Sequence, residues 1–583
     1  MTAMRVARGG LAVLGAALIA LSITRPAGAG PGEIGVGEIA ELLDRHAAIG
    51  TIEFREFGEK IRGNTRRASL SDALDRHLSG KPLDETSWIN ISRLLGVYVR
   101  LRHRDALIRT LGDLVAIPTD KKGDAPQHEN PRVRQLGRSV AKIAASFGLA
   151  FRDVDNRIFE ISLTGRESES IGVYTHGDVV PADPAKWILP DGRQLDPFKM
   201  TLISDRLYGR GTSDDKSAIA AALFAMAAIK RAGFRLRRTI RLIIETTEET
   251  GGQATEYYKQ RHKLPPYNIV LDGRYPVGVA EKGFGVVTAK FPVRAGVGAG
   301  AEIVAASGGL VVNQIPSQAT AEIVTNEPSV LKAAIDKAAA RYVAANGGDF
   351  RIVSTPAAQR LTLTVIGQST HSAAPQRGVN PVSRLFDFLH GARRVAPFKS
   401  NHFTDAAAYA ADNWGIDYLG SKIGVDYSHP FMGPLTAAIT KIDIKDSVLR
   451  LAVNTRAPKG KEADQLTAEI RGAIEKWRER TGTRVTFDLA LGTYMYRNPS
   501  GPWIATLLDI FSDVTGLPGK PVSSSGYTTA HQLPNGVQFG PGMPGETGTA
   551  HRANEFKKLG NFLRDVQIVT EMMMRLGNLE RME

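Results

Sequence analysis

Histidine and carboxylate side chains directly follow three apolar runs of this 583-residue chain. The run IGVYT leads into His176 and Asp178, the run IRLII leads into Glu248 and Glu249, and the run YNIVL ends at Asp272. Imidazole nitrogen and carboxylate oxygen are ligands that suit zinc, and a carboxylate can also accept a proton as a general base. These residue types therefore indicate a metal site with a proton-transfer group beside it.

Two more groups of the same chemistry lie elsewhere in the chain. Asp214 stands in the glycine-bearing loop YGRGTSDDKS, just before the apolar helix SAIAAALFAM, and His551 stands in GTAHRANEF. Alone, each group has an ordinary structural interpretation, such as a loop histidine, a solvated acid, or an acid at a helix N-cap. Taken together, they favour one cluster of nitrogen and oxygen ligands.

The apolar pattern predicts the elements that must position these groups. From Ala106 onward, nearly all-apolar strand segments such as TIRLIIE and YNIVLD alternate with helical segments such as SAIAAALFAMAAIKRAG. This alternation predicts an α/β fold with a largely parallel, helix-covered sheet. Because loops beyond the carboxyl ends of such strands line a common crevice, we expect the groups that follow the three strands to converge there.

The sequence also predicts a domain organisation, since 583 residues exceed one compact core. Residues 30–104 form a mostly helical N-terminal extension with no pattern that indicates chemistry. Residues 105–285 form the first part of a catalytic domain. Residues 286–492 show half-exposed, antiparallel strand patterns typical of an inserted α+β domain, and residues 493–583 complete the catalytic domain.

Composition excludes several classes of function. The net charge is +14, the chain is 43% hydrophobic and 23% charged, and it contains no cysteine. The charge could suit nucleic acid, but no recognition motif accompanies it, and the basic run VRLRHR at 99–104 is short enough to be a solvated helix face. We therefore expect no nucleic-acid partner, no disulfides, and a metal site built from histidine and carboxylates.

The chain resembles, through six segments in the same order, the dinuclear zinc amidohydrolases and metallopeptidases that include acetylornithine deacetylase, succinyl-diaminopimelate desuccinylase, carnosinase and dipeptidase V. The segments are YTHGDVVPAD, LYGRGTSDDK, TTEETGG, LDGRYPVGVAEKG, GQSTHSAAPQRGVNP and GTAHRANEF. The resemblance covers roughly residues 105–583. DGRYPVGVAEKG and GPGMPGETGTAHRANEF are most similar to the branch of dipeptidase V (Xaa-His dipeptidase) and carnosinase.

The resemblance implies two divalent metal ions per chain, with zinc as the expected ion. His176 and Asp272 would hold one ion, Glu249 and His551 would hold the other, and Asp214 would bridge the pair. Two such ions lower the pKa of a shared water and polarise the scissile carbonyl.

Further roles near the metals are implied in the same way. Glu248 would be the general base, which takes the proton of the water and passes it to the leaving amine. Asp178 would orient and polarise His176. The resemblance also implies a cis peptide bond between Asp214 and Asp215.

The inserted domain resembles the long lid of dipeptidase V, and it would supply the groups that contact the substrate. His371, in STHSAAP, would donate a hydrogen bond to the tetrahedral oxyanion, although a histidine at a helix start is the structural alternative. Arg456, in VNTRAP, would bind the terminal carboxylate of the substrate through two parallel hydrogen bonds, although a surface strand arginine is the alternative. Asn313, in VVNQIP, would be a further substrate contact. Such a lid would let a monomer complete its own site, with a homodimer as the alternative.

One segment departs from the family pattern. Relatives of dipeptidase V carry a glycine-rich segment with tyrosine and arginine where this chain has SSSGYTTAHQLPNG, and His531 lies near the position of the expected arginine. Because that segment lines the substrate end of the cleft in the family, the preference for substrate side chains does not transfer to this chain.

Three functions fit the sequence. The leading one is an exported metallodipeptidase that hydrolyses short peptides with a free C-terminal carboxylate. An N-acyl-amino-acid amidohydrolase would need the same metals, base and carboxylate contact. A catalytically inactive, peptide-binding relative would be signalled by loss of Glu248 or of a ligand, and all of these residues are present.

The first residues have the three parts of a secretory signal peptide. MTAMRVARGG is basic, Leu11 to Ile23 is apolar but shorter than the roughly 20 residues of a membrane span, and PAGAG offers a small-residue cleavage site. We expect cleavage after Ala29, secretion into a bacterial periplasm, and no stable membrane insertion afterwards. N-terminal sequencing of the exported protein should begin at Gly30, and a mature protein that retains Met1 would contradict this prediction.

Overall fold

The structure of the protein is a computed structural model, and it describes residues 52–583. The proposed signal peptide, residues 1–29, and the start of the N-terminal extension, residues 30–51, lie outside the described residues. Two large clusters of buried apolar side chains organise the described chain, one around each of two sheets. Between residues 52 and 583, no helix is long and apolar enough to cross a membrane.

The helices are named in chain order. Those before the first strand are α1 Phe54–Asn64, α2 Ala68–Leu78, α3 Glu85–Arg102, α4 Arg104–Val115 and α5 Pro131–Ser146. Those associated with the first sheet are α6 Lys216–Arg231 and α7 Gln253–Lys259. Those of the second sheet are α8 Pro328–Ala345, α9 Pro381–Ala392, α10 His402–Tyr409 and α11 Ala463–Thr481. The last two are α12 Pro502–Thr515 and α13 Leu559–Asn578.

The strands are also named in chain order. The first eight are β1 Ala150–Val154, β2 Ile158–Leu163, β3 Ser170–His176, β4 Thr201–Ile203, β5 Arg206–Tyr208, β6 Thr239–Glu245, β7 Tyr267–Val270 and β8 Val277–Glu281. The next twelve are β9 Gly283–Pro292, β10 Glu302–Gly308, β11 Gln314–Ile315, β12 Gln318–Val324, β13 Arg351–Ala357, β14 Arg360–Ile366, β15 Thr370–His371, β16 Ser428–His429, β17 Gly433–Pro434, β18 Thr436–Lys445, β19 Val448–Ala457 and β20 Thr486–Leu491. The last four are β21 Met495–Tyr496, β22 Pro521–Ser524, β23 Gly536–Gln538 and β24 Phe556–Lys558.

The first sheet has the strand order β1-β2-β6-β3-β7-β23-β8-β21, with β22 beside β8. Its centre is parallel, since β3 runs parallel to both β6 and β7, and β23 runs parallel to β7. Apart from its first residue, β3 is buried throughout, as a strand covered on both faces must be. The predicted largely parallel α/β sheet is therefore confirmed at its centre, whereas β1 and β2 add an antiparallel edge.

The second sheet is antiparallel, with the strand order β13-β14-β12-β10-β18-β19-β9-β20. The chain enters it through β9, which begins at Gly283, and leaves it through β20, which pairs with β9 from the other side. Helices of this part cover the sheet and bury its own apolar core. The fold thus combines a parallel-centred catalytic sheet with an inserted α+β lid, as the sequence predicted.

The N-terminal helices pack into the first core instead of forming a separate one. Phe54, Leu74 and Leu94 are buried in the same apolar cluster as the central strands. Helix α3 lies against α13 so closely that a Cβ atom on Gly96 would come within 2.8 Å of the backbone oxygen of Gln567. The described part of the N-terminal extension is therefore a structural layer of the catalytic domain.

A buried cluster of charged side chains joins these two helices. Arg93 of α3 is fully buried and forms ion pairs with Asp509, Asp513 and Glu571. Arg575 pairs with Asp509 at 2.6 Å and with Glu571 at 3.1 Å. Because removal of one partner leaves buried charges without compensation, such clusters are sensitive to single substitutions.

We predict that Arg93→Ala destabilises the first core by about 3–5 kcal/mol, since Asp513 and Glu571 would lose a buried cation. The measurement is the midpoint of urea-induced unfolding, which should fall clearly. Arg109→Ala is the matched control, because Arg109 is exposed and forms no ion pair within residues 52–583, so its effect should stay within about 0.5 kcal/mol. Equal midpoints for the two variants would contradict the prediction.

Candidate metal centre

The residues that follow three neighbouring parallel strands lie together at one edge of the first sheet. His176 is the last residue of β3, Glu248 and Glu249 lie in the short turn after β6, and Asp272 follows β7. Asp214 lies just before α6. The predicted convergence beyond the strand ends is therefore present in the structure.

The distances within this cluster divide it into two halves that share Asp214. On one side, His176 Nε2 lies 2.9 Å from Asp214 Oδ1 and 3.9 Å from Asp272 Oδ2. On the other side, His551 Nε2 lies 3.2 Å from Asp214 Oδ2 and 3.0 Å from Glu249 Oε2. The two carboxylate oxygens of Asp214 thus face different histidines, which is the arrangement that a carboxylate bridging two ions requires.

Glu248 lies beside the first half. Its carboxylate, His176 and Asp272 offer ligand atoms that all lie within 4.8 Å of one another. Burial, followed by the neighbouring charge of Asp272, raises the pKa of Glu248 well above its ordinary value. Glu248 therefore lies next to His176 and Asp272 and also lines the cleft.

Asp178 fixes the glutamate pair through the backbone. Its Oδ1 accepts a hydrogen bond from the Glu248 N–H at 3.2 Å, and its Oδ2 accepts one from the Glu249 N–H at 3.1 Å. His176 Nδ1 lies 3.0 Å from the backbone oxygen of Asp178 and 3.5 Å from its Oδ1. The side chain of Asp178 thus positions both glutamates, a contribution that the sequence did not reveal, and its backbone oxygen has the shorter contact with the imidazole.

Glu555 is a second positioning residue that sequence reasoning missed. Its buried carboxylate accepts hydrogen bonds from the N–H groups of Gly211, Ser213 and Asp214, and it pairs with Arg210 at 2.6 Å. Glu555 and His551 belong to one segment, GTAHRANEF, so this carboxylate joins the loop of one ligand to the loop of another. In the sequence, the glutamate within GTAHRANEF was the signal that could have indicated this positioning residue.

The backbone has special conformations at the ligand loops. The peptide bond between Asp214 and Asp215 is cis, as the resemblance implied. Thr175 Oγ1 donates a hydrogen bond to Asp215 Oδ2 at 2.5 Å, which anchors this acid under the central sheet. His551 has φ 62°, a left-handed conformation that non-glycine residues adopt rarely and often at functional sites.

The charges of the cluster fit divalent cations. Burial, followed by the charge of Asp214, raises the pKa of Asp272 to about 7. Hydrogen bonds to Asp214 and Glu249 raise the pKa of His551 to about 11. Carboxylates that approach one another in a buried site disfavour each other's charge, and within residues 52–583 no lysine or arginine forms an ion pair with them. The donor set of imidazoles and carboxylates therefore suits oxygen- and nitrogen-ligated divalent ions.

The cluster opens onto a cleft of about 690 Å³ between the two sheets. Side chains of the inserted domain complete its wall, so the lid and the catalytic domain share one site. The lining residues predicted from the sequence are Asp214, Glu248, Glu249, Asp272, Asn313, His371 and Arg456.

The ring of His371 is oriented by a hydrogen bond from the backbone. The N–H of Ala373 donates to His371 Nδ1 at 3.0 Å, so the neutral ring carries its proton on Nε2. Partial desolvation at the cleft wall, followed by the charge of Arg456, lowers the pKa of His371 below its ordinary value. Asn313 lies beside it, since its backbone oxygen accepts the N–H of Ser372 at 2.9 Å.

Arg456 lies on the inner wall of the cleft. Its guanidinium lies 4.6 Å from the centre of the Phe284 ring, and its Nη1 donates to the backbone oxygen of Ser525 at 3.1 Å. Burial lowers the pKa of Arg456 to about 10, which leaves the group charged at neutral pH. Among residues 52–583, no carboxylate forms an ion pair with it, so the charge can bind an anion in the cleft.

The segment that departs from the family pattern forms another part of this wall. Glu281 is buried and accepts hydrogen bonds from Thr528 N–H at 3.1 Å and from His531 Nδ1 at 2.5 Å. His531 in turn stacks on Tyr527, with ring centres 4.1 Å apart. The imidazole therefore anchors the segment behind the cleft, and Ser524, Tyr527 and Thr528 of this segment line the cleft.

Comparisons with known proteins found similar sequences and solved structures. The Beta-Ala-Xaa dipeptidase of Lactobacillus delbrueckii subsp. lactis is 27% identical over 488 residues, which cover 82% of this chain and 97% of that protein. Among solved structures, the di-peptidase Dug1p from Saccharomyces cerevisiae aligns over 84% of this chain and 99% of its own, with 12% identity and a TM-score of 0.49. Human carnosine dipeptidase 1 aligns over 83% and 99%, with 15% identity and a TM-score of 0.47.

The model of the peptidase family M20/M25/M40 matches residues 172–575, which include the proposed ligands from His176 to His551. This span covers more than half of the chain, and the family resemblance seen in the motifs is thereby confirmed. The chain belongs to peptidase family M20/M25/M40.

Proposed function

We propose that this protein is an exported metallodipeptidase that hydrolyses the amide bond of short peptides with a free C-terminal carboxylate. One observation carries the proposal: the carboxylates of the cluster and the guanidinium of Arg456, which forms no ion pair within residues 52–583, line the same cleft. Membership of the M20/M25/M40 family and the similarity to a Beta-Ala-Xaa dipeptidase support it. Export is proposed from the tripartite N-terminus alone.

The chain would hold two divalent ions, with zinc as the proposed metal. His176 and Asp272 would bind one, Glu249 and His551 would bind the other, and Asp214 would contribute one oxygen to each. When bound, the ions would acidify a shared water and polarise the scissile carbonyl.

Glu248 is the proposed general base, because it lies beside this cluster and opens onto the cleft. It would accept a proton from the water and then donate it to the nitrogen of the leaving amine. Asp178 would keep Glu248 in place through the backbone N–H.

The lid residues would contact the substrate at two places, the scissile carbonyl and the terminal carboxylate. His371 Nε2–H would donate to the oxygen that becomes negative in the tetrahedral intermediate. Arg456 would bind the terminal carboxylate with two parallel hydrogen bonds, and Asn313 would contact the substrate beside His371. Because all three belong to the same chain as the metal-binding cluster, the arrangement supports a monomer that completes its own site.

We predict that Glu248→Gln retains both metals but loses about 100-fold to 10,000-fold of turnover, since an amide cannot accept the proton of the water. Glu249→Gln should instead lower metal content, because it removes a proposed ligand. The measurements are metal analysis and the turnover number on a free-acid dipeptide. If Glu248→Gln stays within about threefold of the wild type, another group is the base.

We predict that the wild type hydrolyses a free-acid dipeptide far faster than its C-terminal amide, and that Arg456→Ala narrows this gap. Hydrogen bonds to charged groups contribute about 1.5–3 kcal/mol, so the ratio of kcat/KM values should fall roughly 10-fold to 150-fold. Metal content should not change.

Arg450→Ala is the matched control, since Arg450 lies on the same strand and pairs with Asp446 outside the cleft. An unchanged acid-to-amide ratio in Arg456→Ala would remove Arg456 from the site. Faster hydrolysis of N-acyl amino acids than of any dipeptide would favour the amidohydrolase alternative.

A further inference from the structure

A second arginine lines the cleft, on the catalytic domain. Arg274 lies two positions after Asp272, and its side chain is exposed toward the cleft that also contains Glu248 and Glu249. The segment LDGRYP matches the family motif through its aspartate, Asp272. Nothing in the proposed mechanism uses the arginine of the same segment.

The loop that leads to His551 holds Arg274 in place. Arg274 and Gly542 form a parallel bridge, and the N–H of Gly542 donates to the backbone oxygen of Gly273 at 3.0 Å. A Cβ atom on Gly542 would come within 3.0 Å of Arg274 Cγ, so the stem of the arginine packs against the glycine. Arg274 Nη2 donates to the backbone oxygen of Glu546 at 3.0 Å, which fixes the orientation of the guanidinium.

Within the described residues, 52–583, the charge of Arg274 has no carboxylate counterion. The carboxylate of Glu546 binds Lys558 at 2.8 Å and Asn561 at 2.8 Å, so only its backbone faces the arginine. Among residues 52–583, no carboxylate forms an ion pair with the guanidinium, and no acceptor lies within hydrogen-bond distance of Nε or Nη1. Arg274 therefore presents an unneutralised cation to the cleft.

Arg274 and Arg456 occupy different walls. Arg456 contacts Phe284 and Ser525 on the side of the lid, whereas Arg274 contacts Gly542 and Glu546 on the side of the His551 loop. A substrate whose terminal carboxylate is bound by Arg456 would extend its other part toward the catalytic domain. Two separate cations in one cleft match two separate negative groups on one substrate.

We propose that Arg274 selects dipeptides whose N-terminal residue carries an acidic side chain, Asp or Glu. This inference rests on the proposed dipeptidase function and on the placement of the terminal carboxylate at Arg456. The side-chain carboxylate accepts hydrogen bonds from the guanidinium, and a lysine or arginine side chain at the same position is repelled.

The test uses the full-length mature enzyme with zinc and compares kcat/KM for isosteric substrates. Glu-Ala should be hydrolysed at least roughly 10-fold faster than Gln-Ala. This ratio corresponds to the lower end of what a hydrogen bond to a charged group contributes, because the guanidinium is exposed. Lys-Ala should be the poorest of the three. Added salt should reduce the Glu-to-Gln ratio, since exposed charges are screened.

Variants of Arg274 assign the effect to this residue. Arg274→Gln should bring the Glu-to-Gln ratio to about one with unchanged metal content, and Arg274→Glu should invert the preference toward Lys-Ala. Arg109→Gln is the control, because Arg109 is exposed, forms no ion pair within residues 52–583 and lies outside the cleft. This variant should keep the wild-type Glu-to-Gln ratio. A purely structural role would lower activity on all substrates equally and leave the ratio unchanged.

The outcomes separate this inference from the proposed function. Equal wild-type efficiencies for Glu-Ala and Gln-Ala, or a ratio that persists in Arg274→Gln, overturn the inference alone. An Arg274-dependent preference for Ala-Glu over Ala-Gln also overturns it, because the second anion then lies on the C-terminal residue. If the enzyme hydrolyses none of these dipeptides, the proposed function is overturned, and the inference with it.

Discussion

The mutual repulsion of half-buried carboxylates is the constraint on which the site depends. Asp214, Glu248, Glu249 and Asp272 lie around two histidines at the edge of the first sheet, and burial together with their neighbours raises the pKa of Glu248 and of Asp272. Such a cluster costs free energy unless positive charge compensates it. Divalent cations supply that charge, and for this reason the donor set is better explained as a metal centre than as a solvated acidic patch.

Holding the acids in place requires further polar groups behind them. The carboxylate of Asp178 accepts hydrogen bonds from the backbone N–H groups of both glutamates. The carboxylate of Glu555 accepts them from the loop that carries Asp214. Each of these carboxylates accepts several hydrogen bonds from fixed backbone donors, so the position of each ligand is determined by the backbone as well as by its own rotamer. Preorganisation of this kind is what a metal centre needs to keep its ligands at defined distances.

The sequence predicted the parts of this arrangement that follow from local pattern. Nearly all-apolar strands indicated a buried parallel sheet, and the ends of such strands indicated where His176, Glu249 and Asp272 would meet. It did not predict which helices and edge strands pack against one another, because the period of an apolar pattern identifies a buried face but not the partner of that face. The packing of α3 on α13, with Trp88 Nε1 donating to the backbone oxygen of Met574, is one example, and the antiparallel edge of the first sheet is another.

The connection between the two sheets explains how residues of the lid can take part in the chemistry. Strand β8 ends at Glu281 and β9 begins at Gly283, so only Lys282 separates the catalytic sheet from the lid sheet. Arg456 on β19 lies opposite Phe284 of β9 in the register. Its distance from the metal-binding cluster is therefore fixed by continuous strands, whereas Arg274 is fixed by the loop before His551. Because the two cations are held by different elements, the fold sets the distance between Arg456 and Arg274 across the cleft.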